Sequence, residues 1–236
     1  MAALAFLTPL GRAREPDRTT FDWFPVVGAL LGAAVGLVWW GAHGLWSPLV
    51  AATVAVAADV VLTGALHVDG LADTADGVLP HLDRDRRLAV MSEPDVGAFG
   101  VTAVVLTLGL RVAVLASLRP DVALLAALWC GSRTVMAVAA RSVPYARGEG
   151  GLASAFLGRS PAGVAIVGAA LAGVLALTSD VGPARTAAAV VGVAVAGAVV
   201  VVLARRRLGG FTGDVLGAAG LVGETVGLLV VAAHWS

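Results

Sequence analysis

The chain has 236 residues, 58% of them hydrophobic and only 14% charged, with a formal net charge of zero and a mean hydropathy of +0.90. A soluble domain carries about 25% charged residues, so an ordinary soluble globule is excluded, and the zero net charge implies no nucleic-acid partner. The one cysteine, Cys130, sits inside an apolar run, which excludes a disulfide framework and a cysteine-based metal site.

Residues 1–22 form a polar N-terminal segment without the basic, apolar and cleavage-site order of a removable signal. A membrane-spanning helix needs about 20 mostly apolar residues. Candidate spans fall at 24–46, 48–68, 98–118, 121–140, 161–178, 185–203 and 215–234, the fifth and sixth rich in Ala, Gly and Val. The fold expected is all-α: one integral membrane domain over 1–236, a polytopic bundle of about seven transmembrane helices. The 30 glycines suit helices that approach closely. No internal repeat or low-complexity tail stands out.

All 16 cationic residues are arginine. With a cytoplasmic N-terminus, twelve of them fall in cytoplasmic segments: Arg12, Arg14, Arg18, Arg84, Arg86, Arg87, Arg141, Arg147, Arg159, Arg205, Arg206 and Arg207. Arg119 and Arg185 fall on the other side, and Arg111 and Arg133 within spans. This positive-inside bias orients the chain. It places the loops at 69–96, 141–160 and 205–214 on the cytoplasmic face, as in an enzyme or receptor that faces the cytosol.

The second span runs into His67-Val-Asp-Gly-Leu-Ala-Asp-Thr-Ala-Asp-Gly77. If the helix continues through Gly77, Asp73 lies about 40° from Asp69 and Asp76 about 20° to its other side. Three carboxylates on one face repel and raise one another's pKa values, so a cation is expected among them. Hard oxygen donors without cysteine suit Mg²⁺ or Mn²⁺ better than Zn²⁺. Gly70 and Gly77 would admit a backbone or a substrate closely. The bland alternative is a solvated helix end at the membrane boundary.

A carboxylate-bound Mg²⁺ at a membrane surface usually handles phosphates, and arginine grips phosphate oxygens in pairs. Arg84, Arg86, Arg87, Arg141, Arg147 and the Arg205–Arg207 run are candidates, each also readable as a topology charge or lipid contact. In Gly209-Gly-Phe-Thr-Gly-Asp214, Asp214 would cap the last span, or the glycine-rich loop with Thr212 and Gly213 would cradle phosphate. Glu224 lies roughly 15 Å deeper along that helix. It and Asp59 are buried acids in the bilayer, with Arg111 and Arg133 as partners. His67 lies about 160° from Asp69 on a continuous helix, so a catalytic role for it needs a break near Gly70. His81 reads as a loop residue, and His43 and His234 as structural.

Taken together these strings resemble cobalamin synthases, the adenosylcobinamide-GDP ribazoletransferase family. The matching pieces, in order, are "FPVVGALLG" at 24–32, "LTGALHVDGLADTADG" at 62–77, "DRDRRLAVM" at 83–91, "VGAFG" at 96–100, "PYARGEGGL" at 144–152 and "GGFTGDVLGA" at 209–218. One departure is Ser92-Glu93-Pro94-Asp95, where a basic–Asp–Ser pattern is expected and Glu93 would stand at the acidic position. The resemblance implies an integral enzyme of the bacterial plasma membrane, multi-pass, with its active face cytoplasmic. It implies a Mg²⁺ cofactor and the joining of adenosylcobinamide-GDP to α-ribazole or its 5′-phosphate, giving adenosylcobalamin or its 5′-phosphate and GMP. Expected partners are these substrates, the lipid bilayer and other enzymes of the pathway. On this reading Asp69, Asp73, Asp76 and Asp214 hold the metal, and Asp73, Asp76, Asp214 and His67 are the catalytic candidates. Arg84, Arg87, Arg147, Gly70, Gly77, Thr212 and Gly213 bind substrate. Two rivals are a CDP-alcohol phosphotransferase, whose Asp-Gly is followed by Ala-Arg and then Gly and two more Asp, where here Ala72 is followed by Asp73 and the second half is absent, and an ion-coupled transporter built on Asp59, Glu224, Arg111 and Arg133.

Overall fold

The computed structural model describes residues 2–9, 19–148 and 160–234. Among them helices are the only regular elements: α1 (Ala2–Leu7), a 3₁₀ turn (Thr20–Trp23), α2 (Phe24–His43), α3 (Pro48–Leu62), α4 (Leu66–Val78), α5 (Arg84–Val90), α6 (Ala98–Ser117), α7 (Val122–Ser142), α8 (Pro161–Leu177), α9 (Pro183–Leu208) and α10 (Gly213–Ala232). Five stretches are long and apolar enough to cross a membrane: Thr20–His43, which contains α2, then α6, α7, α9 and α10. The bent pair α3 and α4 makes a sixth if counted as one span, and α8 is a shorter apolar helix. Leu30, Leu37, Val105, Leu106, Ile166 and Val195 point outward and are exposed. So much apolar exterior belongs in hydrocarbon rather than water, and the molecule is a multi-pass helical membrane bundle.

Local chemistry sets the helix ends. Pro48, Pro161 and Pro183 sit in first turns, where a missing N–H costs nothing. Asp121 starts α7 by accepting from the Leu124 N–H at 2.9 Å, and Thr212 starts α10 by accepting from Val215 N–H at 3.3 Å. Such side-chain caps satisfy helix donors that have no intrahelical partner. On α2, Gly28, Gly32 and Gly36 form one stripe against α7. A Cβ on Gly36 would stand 2.9 Å from Val122 Cα, and Cβ atoms on Gly28 and Gly32 would strike the carbonyls of Trp129 and Leu125. Small residues at every fourth position let the two backbones touch.

The second span differs from the continuous helix expected over 48–68. It stops at Leu62, passes Thr63, Gly64 and Ala65, and restarts as α4 at 86° to α3. Gly64 and Ala65 both take positive φ, +59° and +58°, at a cost of about 1–2 kcal/mol for the alanine. Thr63 Oγ1 closes the end of α3 by donating to Asp59 O at 2.8 Å.

Four ionised side chains hold the interior. Arg111 of α6 pairs with Asp59 of α3 at 2.7 Å and Glu224 of α10 at 2.9 Å. Arg133 of α7 pairs with the other oxygen of Glu224. Trp129 Nε1 donates to Asp59 at 2.9 Å, and Ser132 Oγ donates to Glu224 at 2.7 Å. The Arg111 guanidinium also lies 4.8 Å above the Trp129 ring. None of the four is more than 4% exposed, and two cations balance two anions. The paired charge expected for Asp59 and Glu224 is thus one network joining four helices.

The chain alternates between two ends. At one, Arg141 meets Asp22 at 2.9 Å and Tyr145 bridges to Phe211. At the other, Asp121 accepts from Ser179 Oγ at 2.7 Å and from the Asp180 N–H at 2.8 Å. The loops at 69–96 and 205–214, and the described part of 141–160, all meet at the first end. Arg12, Arg14, Arg18 and Arg159 lie outside the described residues.

Breaking one cation of the network leaves buried carboxylates uncompensated. Arg111→Leu should cost about 3–5 kcal/mol of stability, read from denaturant or thermal unfolding in detergent. Arg111→Met combined with Asp59→Leu should cost less, because it removes a charge of each sign. An Arg111→Leu loss under about 1 kcal/mol would refute a structural role for the network.

Candidate active site

α4 lies across the first end of the bundle, between the N-terminal turns of α6 and α10. The helix runs unbroken through Gly70, so Asp69, Asp73 and Asp76 share a face as their spacing requires. Gly70 sets the contact with α10: a Cβ there would stand 2.7 Å from Asp214 O and 2.9 Å from Asp214 Cα. The missing side chain brings Asp69 and Asp73 next to Asp214.

The carboxylates then divide by environment. Asp76 is buried, and both of its oxygens are engaged, by the N–H groups of Gly97 at 2.7 Å and Gly100 at 2.9 Å. It closes the N-terminus of α6, where the positive end of the helix dipole favours an anion. Asp69 is exposed and Asp73 half-buried. Asp214 accepts from Thr212 Oγ1 at 3.1 Å and from Arg147 at 3.4 Å. Arg147 also donates to Met91 O at 3.1 Å. Asp73 has its carboxyl pushed up to about 6, first by burial and then by Asp214 and Asp69, with Arg147 pulling the other way. Three carboxylates thus face one guanidinium.

Other candidates lie elsewhere. Arg87 is buried, and its guanidinium donates to the carbonyls of Gly77 at 2.8 Å and Val78 at 2.7 Å, ending α4. Arg84 donates to Leu208 O at 2.8 Å and Ala146 O at 2.7 Å, tying three loops together. Gly77 packs against Met91. Glu93, at the departing acidic position, pairs with Arg86 at 2.8 Å. His67 points away from the acidic face into the interior, its Nδ1 3.4 Å from Arg133. Gly213 is exposed with open space before it. Sequence reasoning did not single out Gly97 and Gly100 as partners of Asp76, because the link spans more than twenty residues and exists only once α4 is laid down.

A divalent cation fits the donor chemistry of Asp69, Asp73 and Asp214: hard oxygens with excess negative charge. Among the described residues no three Asp, Glu, His or Cys side chains already converge on one point. A divalent ion held by one or two of these carboxylates would take its remaining ligands from substrate phosphates and water.

The fold and this end define a class: a multi-pass helical membrane protein that gathers acidic and arginine side chains at one end of its bundle. The sequence profile of the cobalamin-5-phosphate synthase family matches residues 1–232, and the chain belongs to that family. A protein named adenosylcobinamide-GDP ribazoletransferase from Bradyrhizobium diazoefficiens is 40% identical, over 98% of this chain and 91% of its own. Proteins of the same name from Chlorobium phaeovibrioides and Chlorobaculum parvum are 38% and 36% identical, over 91% and 100% of this chain and 87% and 94% of theirs. No solved structure matches the chain.

Because the folded state raises the Asp73 carboxyl from its ordinary 3.8 to about 6, the folded chain holds that proton more tightly than the unfolded one. The stability so gained is complete below about pH 4 and lost as pH rises through about 6. In metal-free buffer Asp73→Asn should therefore melt above wild type at about pH 7.5 and level with it at about pH 4. An offset that does not change with pH would overturn the crowded-carboxylate picture.

Proposed function

We propose that this chain is a Mg²⁺-dependent transferase that joins adenosylcobinamide-GDP to α-ribazole 5′-phosphate, or to α-ribazole, and releases GMP. The observation that carries the reading is the meeting of Asp69, Asp73, Asp214 and Arg147 where α4 crosses α10, in a chain of this family. The ion-coupled carrier reading loses its residues, since Asp59, Glu224, Arg111 and Arg133 are engaged with one another.

In the proposed reaction a ribose hydroxyl forms a bond to the phosphorus attached to cobinamide. The bond from that phosphorus to the GMP oxygen breaks, and GMP leaves with the electron pair. Asp73 takes the hydroxyl proton. A carboxyl near 6 is ionised enough at neutral pH to accept it and basic enough to hold it. Arg147, on an exposed loop and only loosely paired with Asp214, turns to a phosphate oxygen of the incoming substrate. Asp69 and Asp214 would hold Mg²⁺, which when bound neutralises phosphate charge and steadies the leaving group. Asp76, Arg84 and Arg87 fix the helix and loops that carry these groups, while the α4–α10 contact at Gly70 keeps Asp73 and Asp214 in register.

We place this end on the cytoplasmic side of the cell membrane. In support, the described arginines Arg84, Arg86, Arg87, Arg141, Arg147 and Arg205–Arg207 gather at it, against Arg119 and Arg185 at the other.

Purified protein in detergent, given adenosylcobinamide-GDP and α-ribazole 5′-phosphate, should form GMP only with Mg²⁺, followed by chromatography. Asp73→Asn should lower turnover by about 10²–10⁴-fold without lowering the melting temperature, whereas Arg147→Gln should act mainly on KM. A folded wild-type sample that makes no GMP with either ribazole substrate overturns the reaction. Near-normal turnover in Asp73→Asn overturns the assignment of the base.

A further inference from the structure

A groove of about 440 Å³ runs between α7, α8 and α9, away from the candidate active site. Its walls are small and apolar, among them Gly131, Val138, Ala165, Gly168 and Ala198. The Thr134 hydroxyl in its wall donates to Cys130 O at 2.7 Å and offers no free polar group. Ser142 and Val143 mark its mouth, at the C-terminal end of α7. The size is that of a small-ligand pocket, but the walls could recognise little except hydrocarbon.

The face of α9 that lines the groove carries Val190, Ala194, Ala198, Val201 and Val202. Arg205 continues that face, about 20° around the helix from Ala198 and one turn beyond Val201. It is exposed, at the end of the bundle where α9 leaves the apolar region. Arg141 of α7, by contrast, already pairs with Asp22. An apolar slot within the spans, followed by a cation at headgroup height, matches one chemistry in order: an acyl chain, then a phosphate. Basic sites between transmembrane helices bind anionic headgroups in this way.

We propose that the groove between α7, α8 and α9 holds an acyl chain of an anionic glycerophospholipid, with the lipid phosphate on Arg205. The lipid would fill the gap that the groove leaves in the bundle, so its binding should also stabilise the fold. This site is separate from the proposed reaction, and its test needs no turnover.

The test is native mass spectrometry of the full chain in detergent, titrated with phosphatidylglycerol and with phosphatidylcholine of the same chains. Wild type should take up one phosphatidylglycerol saturably, and more tightly than phosphatidylcholine. Arg205→Gln should weaken phosphatidylglycerol about fivefold, the ratio for one surface cation, and weaken phosphatidylcholine less, because its choline already offsets the phosphate charge. Ala198→Phe, and independently Ala169→Leu on the facing wall, should abolish saturable uptake of both while melting like wild type in lipid-free detergent. Unchanged uptake in whichever filled variant remains folded overturns the site, as does the absence of saturable uptake by wild type. Light scattering tests a second occupant: a wild-type dimer that Ala198→Phe makes monomeric would give the groove to another copy of this chain and overturn the proposal.

Discussion

The buried charges of Asp59, Arg111, Glu224 and Arg133 constrain everything around them. Inside a bilayer an uncompensated ion is costly, so the helices that carry these groups must meet at one point. The bend in the second span follows. On a straight helix Asp59 and His67 would lie about 12 Å apart along the axis. Yet Asp59 is held by Arg111, while His67 sits by Arg133, and both guanidiniums grip Glu224. Thr63, Gly64 and Ala65 turn the chain by 86°, which lets both residues reach the same network. The strained Ala65 is set against four buried charges.

The bend carries α4 across the first end of the bundle, against the starts of α6 and α10. Helix N-termini favour negative charge, so the end that receives the acidic helix is suited to it. The match is unequal along α4. Asp76 meets the first N–H groups of α6 and is fully engaged. Asp73 falls where no N–H reaches it, beside Asp214 and Asp69, and is pushed upward. One turn of helix thus separates a carboxylate that holds the fold from one that, on the proposed reading, accepts the hydroxyl proton.

The all-helical membrane bundle was legible because hydrophobic runs of spanning length leave few other folds. The shared face of Asp69, Asp73 and Asp76 followed from helical periodicity alone, and the family from the strings at 62–77 and 209–218. The bend was not legible. "VLTGALHV" has no proline, and its one glycine is ordinary among thirty; the turn is dictated by partners on α6, α7 and α10. Arginine roles were illegible for the same reason. Arg84, Arg87 and Arg147 sit in similar polar loops, but whether a guanidinium is buried against a helix end or stays exposed beside a carboxylate depends on which helix ends lie nearby. Arg87 meets the end of α4; Arg147 stands on the exposed loop beside Asp214. The helix of 185–203 reaches Leu208, because hydropathy marks where the bilayer ends and not where the backbone stops coiling.

The two charge clusters obey opposite rules for one reason. In the interior, two cations and two anions face one another, and every carboxylate oxygen is engaged. At the end of the bundle, Asp69, Asp73 and Asp214 outnumber Arg147, and water makes the imbalance tolerable. An imbalance of that sign repels a free diphosphate and attracts a cation. On the proposed reading, substrate and divalent ion are therefore bound as one electrostatic unit, the ion offsetting the charge of both the carboxylates and the phosphates. The balanced cluster fixes where α4 starts, and the unbalanced one uses that position. The rigidity of the first is the condition for reactivity in the second, since a carboxylate free to move away from its neighbours would relax toward its ordinary value and lose the basicity assigned to Asp73.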